Sequence, residues 1–192
     1  YKGFDISEIA INFAKNFHKK DFFYNIREND YRELTLKDRE IIYTRDTVMH
    51  QEKPFDFLKE LISLTSKFLV LRLKTRDHGK TEWDINNSKQ MHYGKYWMPY
   101  IVININDLLE VLLNFRKPKS IQINRSYEVL GGKNFRYLPE ELYFKSSGGS
   151  ETSICIEFGD NENTETKINY TEILEGRKFL GHNKNKFFMY RL

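Results

Sequence analysis

The first forty-odd residues alternate a helical pattern of apolar positions with short apolar runs that are typical of strands. Residues 1–5 are typical of the end of a strand. Apolar side chains then recur at helical spacing and Ser7 is a suitable N-cap, so a helix is predicted from about Ser7 to Phe17. Short runs predict strands at Phe22 to Ile26 and Glu40 to Thr44, separated by a polar loop from Arg27 to Arg39. The recurring side chains of the helix are Ile9, Ala10, Phe13, Ala14 and Phe17.

A second helix and a more apolar strand come next. Pro54 suits a first helical turn, and the apolar face of this helix continues to Thr65. Phe68 to Leu73 is almost continuously apolar, as expected of a strand that helices cover on both faces. The succession of strands and helices predicts an α/β fold around a parallel sheet.

The pattern stops between residues 74 and 100, where charges, glycines and both tryptophans occur with little periodicity. An irregular segment of this length is often a lid or a binding loop. The alternative is an ordered surface excursion that Trp83 and Trp97 hold in place.

Secondary structure resumes after this segment. The pattern predicts a strand from Tyr100 to Ile105, a cap at Asn106 and a helix from Asp107 to Phe115. Further strands are predicted at Ser120 to Tyr127, Thr152 to Phe158 and Lys186 to Leu192, with a polar turn from Asp160 to Thr166. We therefore expect one domain over residues 1–192, with an irregular insertion at about 74–100.

Composition narrows the function classes. The net charge is +4 and is dispersed along the chain, which does not favour a nucleic-acid partner. Cys155 is the single cysteine of the sequence and most simply fills a core position in a strand. No apolar stretch is long enough for a membrane span, and no metal-ligand spacing occurs, so we expect a cytoplasmic protein without a bound metal.

Asp5 stands at the end of the first predicted strand, just before the helix cap. Open α/β sheets bind their ligands at the carboxyl ends of strands, where a carboxylate can accept both hydroxyls of a ribose. Asp5 can equally serve only to cap the helix, and its position alone does not separate these two roles.

Three segments in this order resemble class I S-adenosylmethionine-dependent methyltransferases. They are GFDISEIAINFAK from Gly3, DFFYNIREND from Asp21 and IIYTRDTVMHQEKPFDFLKELISLTSKFLVLRL from Ile41. The resemblance covers residues 1–73 and implies a Rossmann-like sheet, mostly parallel, with an antiparallel C-terminal strand. It also implies that S-adenosyl-L-methionine is bound by Asp5, Ile6, Asn25, Ile26 and Arg45.

The family's first strand and its glycine-rich motif I would precede Tyr1 and have no counterpart in the sequence. In that family the strand is central, so the fold is expected to be truncated at its N-terminus. We expect a gap in the sheet, a compensating strand from elsewhere in the chain, or a partner chain in the slot, for which a homodimer is one form.

The catalytic candidates follow the third strand. His50 is the preferred general base, since an ordinary histidine pKa of about 6.5 is close to neutral pH. Asp46 either orients His50, binds the acceptor or acts as a helix cap. His92, together with Tyr93, is a second candidate for the general base. Each histidine can also be purely structural.

A basic group, Arg72, Lys74, Arg76 and His78, lies at and beyond the end of the strand from Phe68. Guanidinium groups suit a phosphate or carboxylate on the acceptor, although a solvated charged surface explains the same residues. The leading hypothesis is a methyltransferase for a small polar acceptor, such as a phosphorylated or nucleotide-linked sugar precursor. The alternatives are a non-catalytic binding or assembly module and, less favoured, nucleic-acid binding through residues 74–100.

Overall fold

The computed structural model describes residues 1–26, 39–92, 94–132, 135–159 and 165–173. They fall into two compact units, Tyr1–Arg39 and Glu40–Leu192, and each unit is described below by itself. Four sequence-based predictions lie wholly or largely outside the described residues: the loop before Arg39, the role of Tyr93, the turn from Asp160 and the strand from Lys186.

The first unit is a small strand–helix–strand arrangement. Strands β1 (Gly3–Asp5) and β2 (Phe23–Asn25) pair in parallel, and helix α1 (Glu8–His18) connects them. Ser7 caps α1 as expected, with its Oγ accepting from the Ala10 amide at 3.2 Å. The apolar face assigned to α1 is corrected, because Ile11 is the residue that is buried while Ile9, Phe13 and Phe17 are exposed.

The second unit is built on a six-stranded sheet. Its strands are β3 (Arg39–Arg45), β4 (Thr65–Arg76), β7 (Ile103–Asn104), β8 (Ser120–Tyr127), β10 (Ser150–Glu157) and β11 (Lys167–Ile173). Their order is β11-β8-β10-β4-β3, and β7 also pairs with β4. Strand β10 is antiparallel to β4 and to β8, whereas β11 is parallel to β8 and β7 is parallel to β4. The α/β class is confirmed. The antiparallel strand lies inside the sheet, and the parallel edge strand β11 was not predicted.

Helices α2 (Pro54–Leu64) and α3 (Ile105–Phe115) supply the helical side of the core. They pack on inward side chains of the central strands: Leu69, Leu71, Leu73, Ile121, Ile123, Ile154 and Ile156. The expectation that β4 is buried on both faces is wrong. Its second face carries Arg72 and Lys74, which are only partly buried and pair with carboxylates of neighbouring strands.

Residues 74–100 contain an ordered hairpin, which corrects the expectation of an irregular segment. Strands β5 (Lys89–His92) and β6 (Tyr96–Pro99) pair antiparallel, and β9 (Arg136–Tyr137) joins β5 to complete a three-stranded sheet. Gly94 has a φ of +69° in the turn, a conformation that glycine adopts without steric cost. Trp83 packs edge-on against Phe55 of α2 with a centroid distance of 4.8 Å, whereas Trp97 packs against Tyr137 of the same small sheet at 5.2 Å.

The segment after the hairpin contains a shorter strand than the sequence predicts. Only Ile103–Asn104 of the predicted strand from Tyr100 is a strand, and α3 begins at Ile105. Its cap is Asn104, whose side chain accepts from the Asn106 amide at 2.8 Å. The Asn106 cap was therefore misplaced by two residues, since Asn104 satisfies the exposed amide of the first turn.

A buried arginine joins the polar ends of β4, β8 and β10. Arg125 donates to Ser150 Oγ at 3.1 Å, to Thr75 Oγ1 at 3.2 Å and to the Gly148 carbonyl at 3.2 Å, and it pairs with Asp77. Its side chain is 2% exposed, so these acceptors replace water around the guanidinium. A buried cation of this kind is tolerated only where hydrogen bonds and an opposite charge compensate for its desolvation.

None of the helices in the described part of the chain has the length and apolar character that a membrane span requires. Within the same residues, no group of three or more His, Cys, Asp or Glu side chains is arranged to hold a metal ion.

We expect Arg125→Ala to lower the free energy of unfolding by about 3 kcal/mol, because Asp77 and the buried hydroxyls lose their common partner. The urea midpoint should fall accordingly. The matched control is Lys119→Ala, which removes an exposed ion pair with Glu157 and should leave the midpoint unchanged. Equal midpoints for the two variants would contradict the role assigned to Arg125.

Candidate functional site

The carboxyl ends of β1 and β2 bring together four residues predicted to contact the cosubstrate. Parallel register places Asp5 beside Asn25, and Ile6 and Ile26 follow them directly. The Ile26 amide donates to the Asp5 carbonyl at 3.0 Å, which continues the pairing beyond the strands. Asn25 is largely buried, whereas Asp5 and Ile6 are exposed.

The cap of α1 is Ser7, and the Asp5 side chain instead holds the turn that precedes this cap. Its Oδ1 accepts from the Ser7 amide at 2.7 Å, which holds the turn between β1 and α1. Its second carboxylate oxygen, Oδ2, makes no hydrogen bond to the residues that the structure describes. An ionised carboxylate has about four lone-pair sites, so the bond from the Ser7 amide leaves capacity for a ligand hydroxyl.

In the second unit, β3 ends in a sharp turn at Asp46. Asp46 has a φ of +56°, in the left-handed region that aspartate tolerates better than most residues. Its amide donates to the Arg72 carbonyl of β4 at 2.8 Å, and its carboxylate forms an exposed ion pair with Arg45 at 3.4 Å. Asp46 therefore stands at the strand end without acting as a helix cap.

A single turn of 3-10 helix, Val48–His50, follows this turn and positions His50. Val48 and Met49 are each 1% exposed, so burial of their side chains fixes the backbone next to the histidine. The Met49 carbonyl accepts from the Ile101 amide at 2.9 Å, which ties the turn to the residues after β6.

The hydrogen bond of His50 selects its tautomer. Nδ1 lies 2.7 Å from the Pro99 carbonyl, and because a carbonyl only accepts, Nδ1 carries the proton. In the neutral ring the lone pair is then on Nε2, which has no hydrogen-bond partner among the described residues. This is the form that a general base requires.

Burial lowers the pKa of His50 below its ordinary value of 6.5, and it outweighs the other influences. The Pro99 hydrogen bond and the Asp46 carboxylate raise this pKa, whereas the charges of His92 and Arg136 lower it. The neutral ring therefore predominates at neutral pH. Since the unfolded chain takes up the proton more readily, the resulting stability is complete above pH 6.5 and is lost as the pH falls through the folded pKa.

Tyr100 is the common neighbour of His50 and Arg136. Its ring meets the imidazole edge to face at 5.7 Å, and the Arg136 guanidinium lies over it at 4.2 Å. Tyr100 is 3% exposed, and burial raises its pKa to about 12, so the phenol stays protonated. We call His50, Tyr100, Arg136 and the Arg136 partner Gln90 the His50 cluster.

Arg136 enters the cluster through the register of the hairpin sheet. It is paired with Gln90 across β5 and β9, and its Nε donates to Gln90 Oε1 at 2.7 Å. Its Nη1 is buried and has no hydrogen-bond partner within the part of the chain that the structure describes. Sequence reasoning missed both Arg136 and Tyr100, since neither stands in a motif. Arg136 reaches Tyr100 only through the pairing of β9 with β5, and Tyr100 directly follows β6.

The predicted basic group does not form one open cluster of cations. Arg72 is paired with Glu151, and Lys74 lies 2.5 Å from both Glu128 and Glu151. Arg76 is 1% exposed and donates from Nε to the His78 carbonyl at 2.7 Å, while the His78 side chain is exposed. A phosphate would have to displace the carboxylates that already hold Arg72 and Lys74.

No protein-family model and no curated protein matches the chain in sequence. Among solved structures, it is similar to the crystal structure of a "putative S-adenosylmethionine dependent methyltransferase" from Listeria monocytogenes. The TM-score is 0.49 and the sequence identity 14%, over 82% of this chain and 79% of that chain. This likeness concerns the course of the backbone and says nothing about a ligand.

The His50 ring should titrate with a midpoint below pH 6.5 and carry its proton on Nδ1 when neutral. Two variants should move the midpoint in opposite directions. Asp46→Asn lowers it because a charge that favours the imidazolium is lost, and Arg136→Gln raises it because an opposing charge is lost. Two-dimensional nitrogen–proton spectra of the ring measure both quantities. An Nε2–H tautomer, or shifts of the same sign in the two variants, would contradict this assignment.

Proposed function

We propose that this chain is an S-adenosylmethionine-dependent methyltransferase that acts on a small polar acceptor. The observation that carries the proposal is the juxtaposition of Asp5 and Asn25 at the carboxyl ends of two parallel strands. The resemblance of residues 1–73 to the class I family assigns these positions to the ribose and to the border of the adenine.

The described residues fit the nucleoside part of this cosubstrate. Asp5 is exposed and keeps an oxygen that accepts no hydrogen bond from the described residues, so it can receive a ribose hydroxyl. Ile6, next to Asp5, is also exposed and offers an apolar surface. When bound, the cosubstrate supplies an electrophilic methyl group on a sulfonium centre.

His50 supplies the base in this proposal. A hydroxyl or amine acceptor becomes a better nucleophile as it loses its proton, and the Nε2 lone pair is the group of the cluster that receives it. The Pro99 carbonyl holds the ring while Nε2 takes up the proton. The Asp46 carboxylate then favours the imidazolium that forms, since it raises the pKa of His50.

His92 contributes a different role from the one first considered. It acts on the pKa of His50 as a like charge and lies on the same face of β5 as Gln90. We assign it to tuning of the base. Arg72 and Arg76 are already paired within the protein, so the geometry gives no support to a phosphorylated sugar as the acceptor.

Calorimetric titration with S-adenosylhomocysteine tests the proposal. The unmodified chain should bind it, and Asp5→Asn should weaken binding at least about tenfold, because the amide nitrogen that replaces Oδ2 is a donor and cannot accept from a ribose hydroxyl. The Asn oxygen can still accept from the Ser7 amide, so the turn before α1 should be preserved. Circular dichroism checks this.

The matched control is Asp21→Asn, an exposed carboxylate of the same unit that precedes β2. It should bind S-adenosylhomocysteine like the unmodified chain. Absence of binding in the unmodified chain would overturn the proposal in favour of a non-catalytic binding module. Equal affinities for Asp5→Asn and Asp21→Asn would overturn the role of Asp5.

A further inference from the structure

Helix α1 carries an apolar surface that the described part of the chain leaves uncovered. Ile9, Phe13 and Phe17 are spaced four residues apart, so they lie along one side of the helix. They are 83%, 67% and 70% exposed, and the rings of Phe13 and Phe17 stack at a centroid distance of 5.8 Å. Single exposed apolar residues are ordinary, whereas a contiguous row of them marks an interaction surface. We call these three residues the α1 row.

The first unit has little apolar core of its own. Among its described residues, Ile11 is the one buried hydrophobic side chain. A two-stranded sheet such as that of β1 and β2 needs packing against other elements for stability, and a unit this small buries only a modest fraction of its surface. An occupant that covers the α1 row therefore stabilises the unit as well as the contact.

The area of the α1 row suits a protein interface. An aromatic side chain buries about 150–250 Å² when it is covered, so the exposed parts of the three side chains supply roughly 400 Å². A standard interface buries about 800 Å² on each partner. The row supplies about half of this area, and the exposed Ala10, Asn12 and Asn16 beside it extend the contact.

The spacing of the α1 row matches that of a second copy turned end for end. Ile9 and Phe17 each stand four residues from Phe13. A two-fold axis at Phe13 sets two α1 helices antiparallel, with Phe13 against Phe13 of the second copy and Ile9 against Phe17 of the second copy. Each apolar residue thereby meets an apolar residue, and both copies use the same surface.

The charges beside the α1 row are complementary in the same arrangement. Lys15 and Lys19 follow Glu8 by seven and eleven residues, which places all three on one flank of the helix. Glu8 lies in the first turn, Lys15 lies in the last turn and Lys19 is the C-cap. In an antiparallel pair the acidic end of each helix adjoins the basic end of the other, and the helix dipoles run in opposite directions. A second copy therefore offers this surface both apolar contact and opposite charge.

A lipid surface is a poorer match to this helix. Helices that lie in a membrane interface carry a polar face rich in lysine and arginine. On α1 the flank mixes the acidic Glu8 with Lys15 and Lys19, and the neutral amides of Asn12 and Asn16 stand next to the row. A mixed flank suits a second copy in reverse orientation better than an anionic bilayer.

We propose that the α1 row is the interface of a two-fold symmetric homodimer, in which the α1 helices of two copies pack antiparallel. This contact uses side chains of a helix and differs from the strand contribution considered from the sequence. It does not depend on the proposed methyl transfer, because neither the cosubstrate nor the His50 cluster takes part in it.

Sedimentation equilibrium over a range of concentrations tests the proposal. The unmodified chain should reach the mass of two chains at concentrations up to about 100 µM. Phe13→Glu should raise the dimer dissociation constant at least about tenfold, because two carboxylates then face each other at the two-fold axis. The matched control is Phe144→Glu, which changes an exposed phenylalanine of the second unit and should leave the dissociation constant unchanged. Circular dichroism checks that both variants are folded.

Charge reversal tests the antiparallel orientation. Glu8→Lys should weaken the dimer, because it places a third positive charge beside Lys15 and Lys19 of the second copy. Adding Lys19→Glu to this variant should restore part of the lost affinity, since opposite charges then adjoin again. In a parallel dimer Glu8 would face its own counterpart, and the second exchange would restore nothing.

Three results would overturn the proposal. The first is an unmodified chain that stays monomeric, and the second is a dimer that Phe13→Glu and Phe144→Glu affect equally. The third is a dimer that Glu8→Lys leaves unchanged, which contradicts the antiparallel packing. If the monomer sediments with phosphatidylserine vesicles and Phe13→Glu abolishes this binding, the α1 row binds a lipid surface instead of a second copy.

Discussion

Burial of the leucines of β4 against α2 and α3 is the constraint on which the second unit depends. Leu69, Leu71 and Leu73 are fully buried there, and β4 in turn carries β10 along one edge and β3 and β7 along the other. The Arg72 carbonyl on this strand receives the Asp46 amide, so the end of β3 is located by β4. The position of His50 follows, because only the buried Val48 and Met49 separate the turn at Asp46–Thr47 from the histidine.

Elements with a strong apolar period were predictable, and those that depend on pairing were not. Helix α2 and strand β8 follow from the sequence because their apolar side chains recur at the period of the element and all face one core. The hairpin of β5 and β6 has no such period, since aromatic side chains stand on its exposed face as well. Strand β11 was missed for a similar reason, because each of its residues is exposed or half-buried at the edge of the sheet.

In the candidate site, too, the residues that follow from local sequence could be predicted, whereas those that depend on strand pairing could not. His50 and Asp46 could be selected from residue type and from their place after a strand. Arg136 could not, because it reaches the cluster through two paired residues of β9, a contact that no local pattern encodes. The basic group on β4 illustrates the converse. Arg72 and Lys74 form a cationic row in the sequence, but antiparallel β10 brings Glu151 opposite Lys74 and neutralises the row.

The bond between His50 and Pro99 also affects how the hairpin can associate with other chains. Strand β6 is the edge of its sheet, and an edge normally offers free amide and carbonyl groups to an incoming strand. Pro99 has no amide hydrogen to donate, and its carbonyl already accepts from the imidazole. At this residue the edge has neither group to offer. The contact that orders a histidine therefore also removes the Pro99 end of this edge from intermolecular strand pairing.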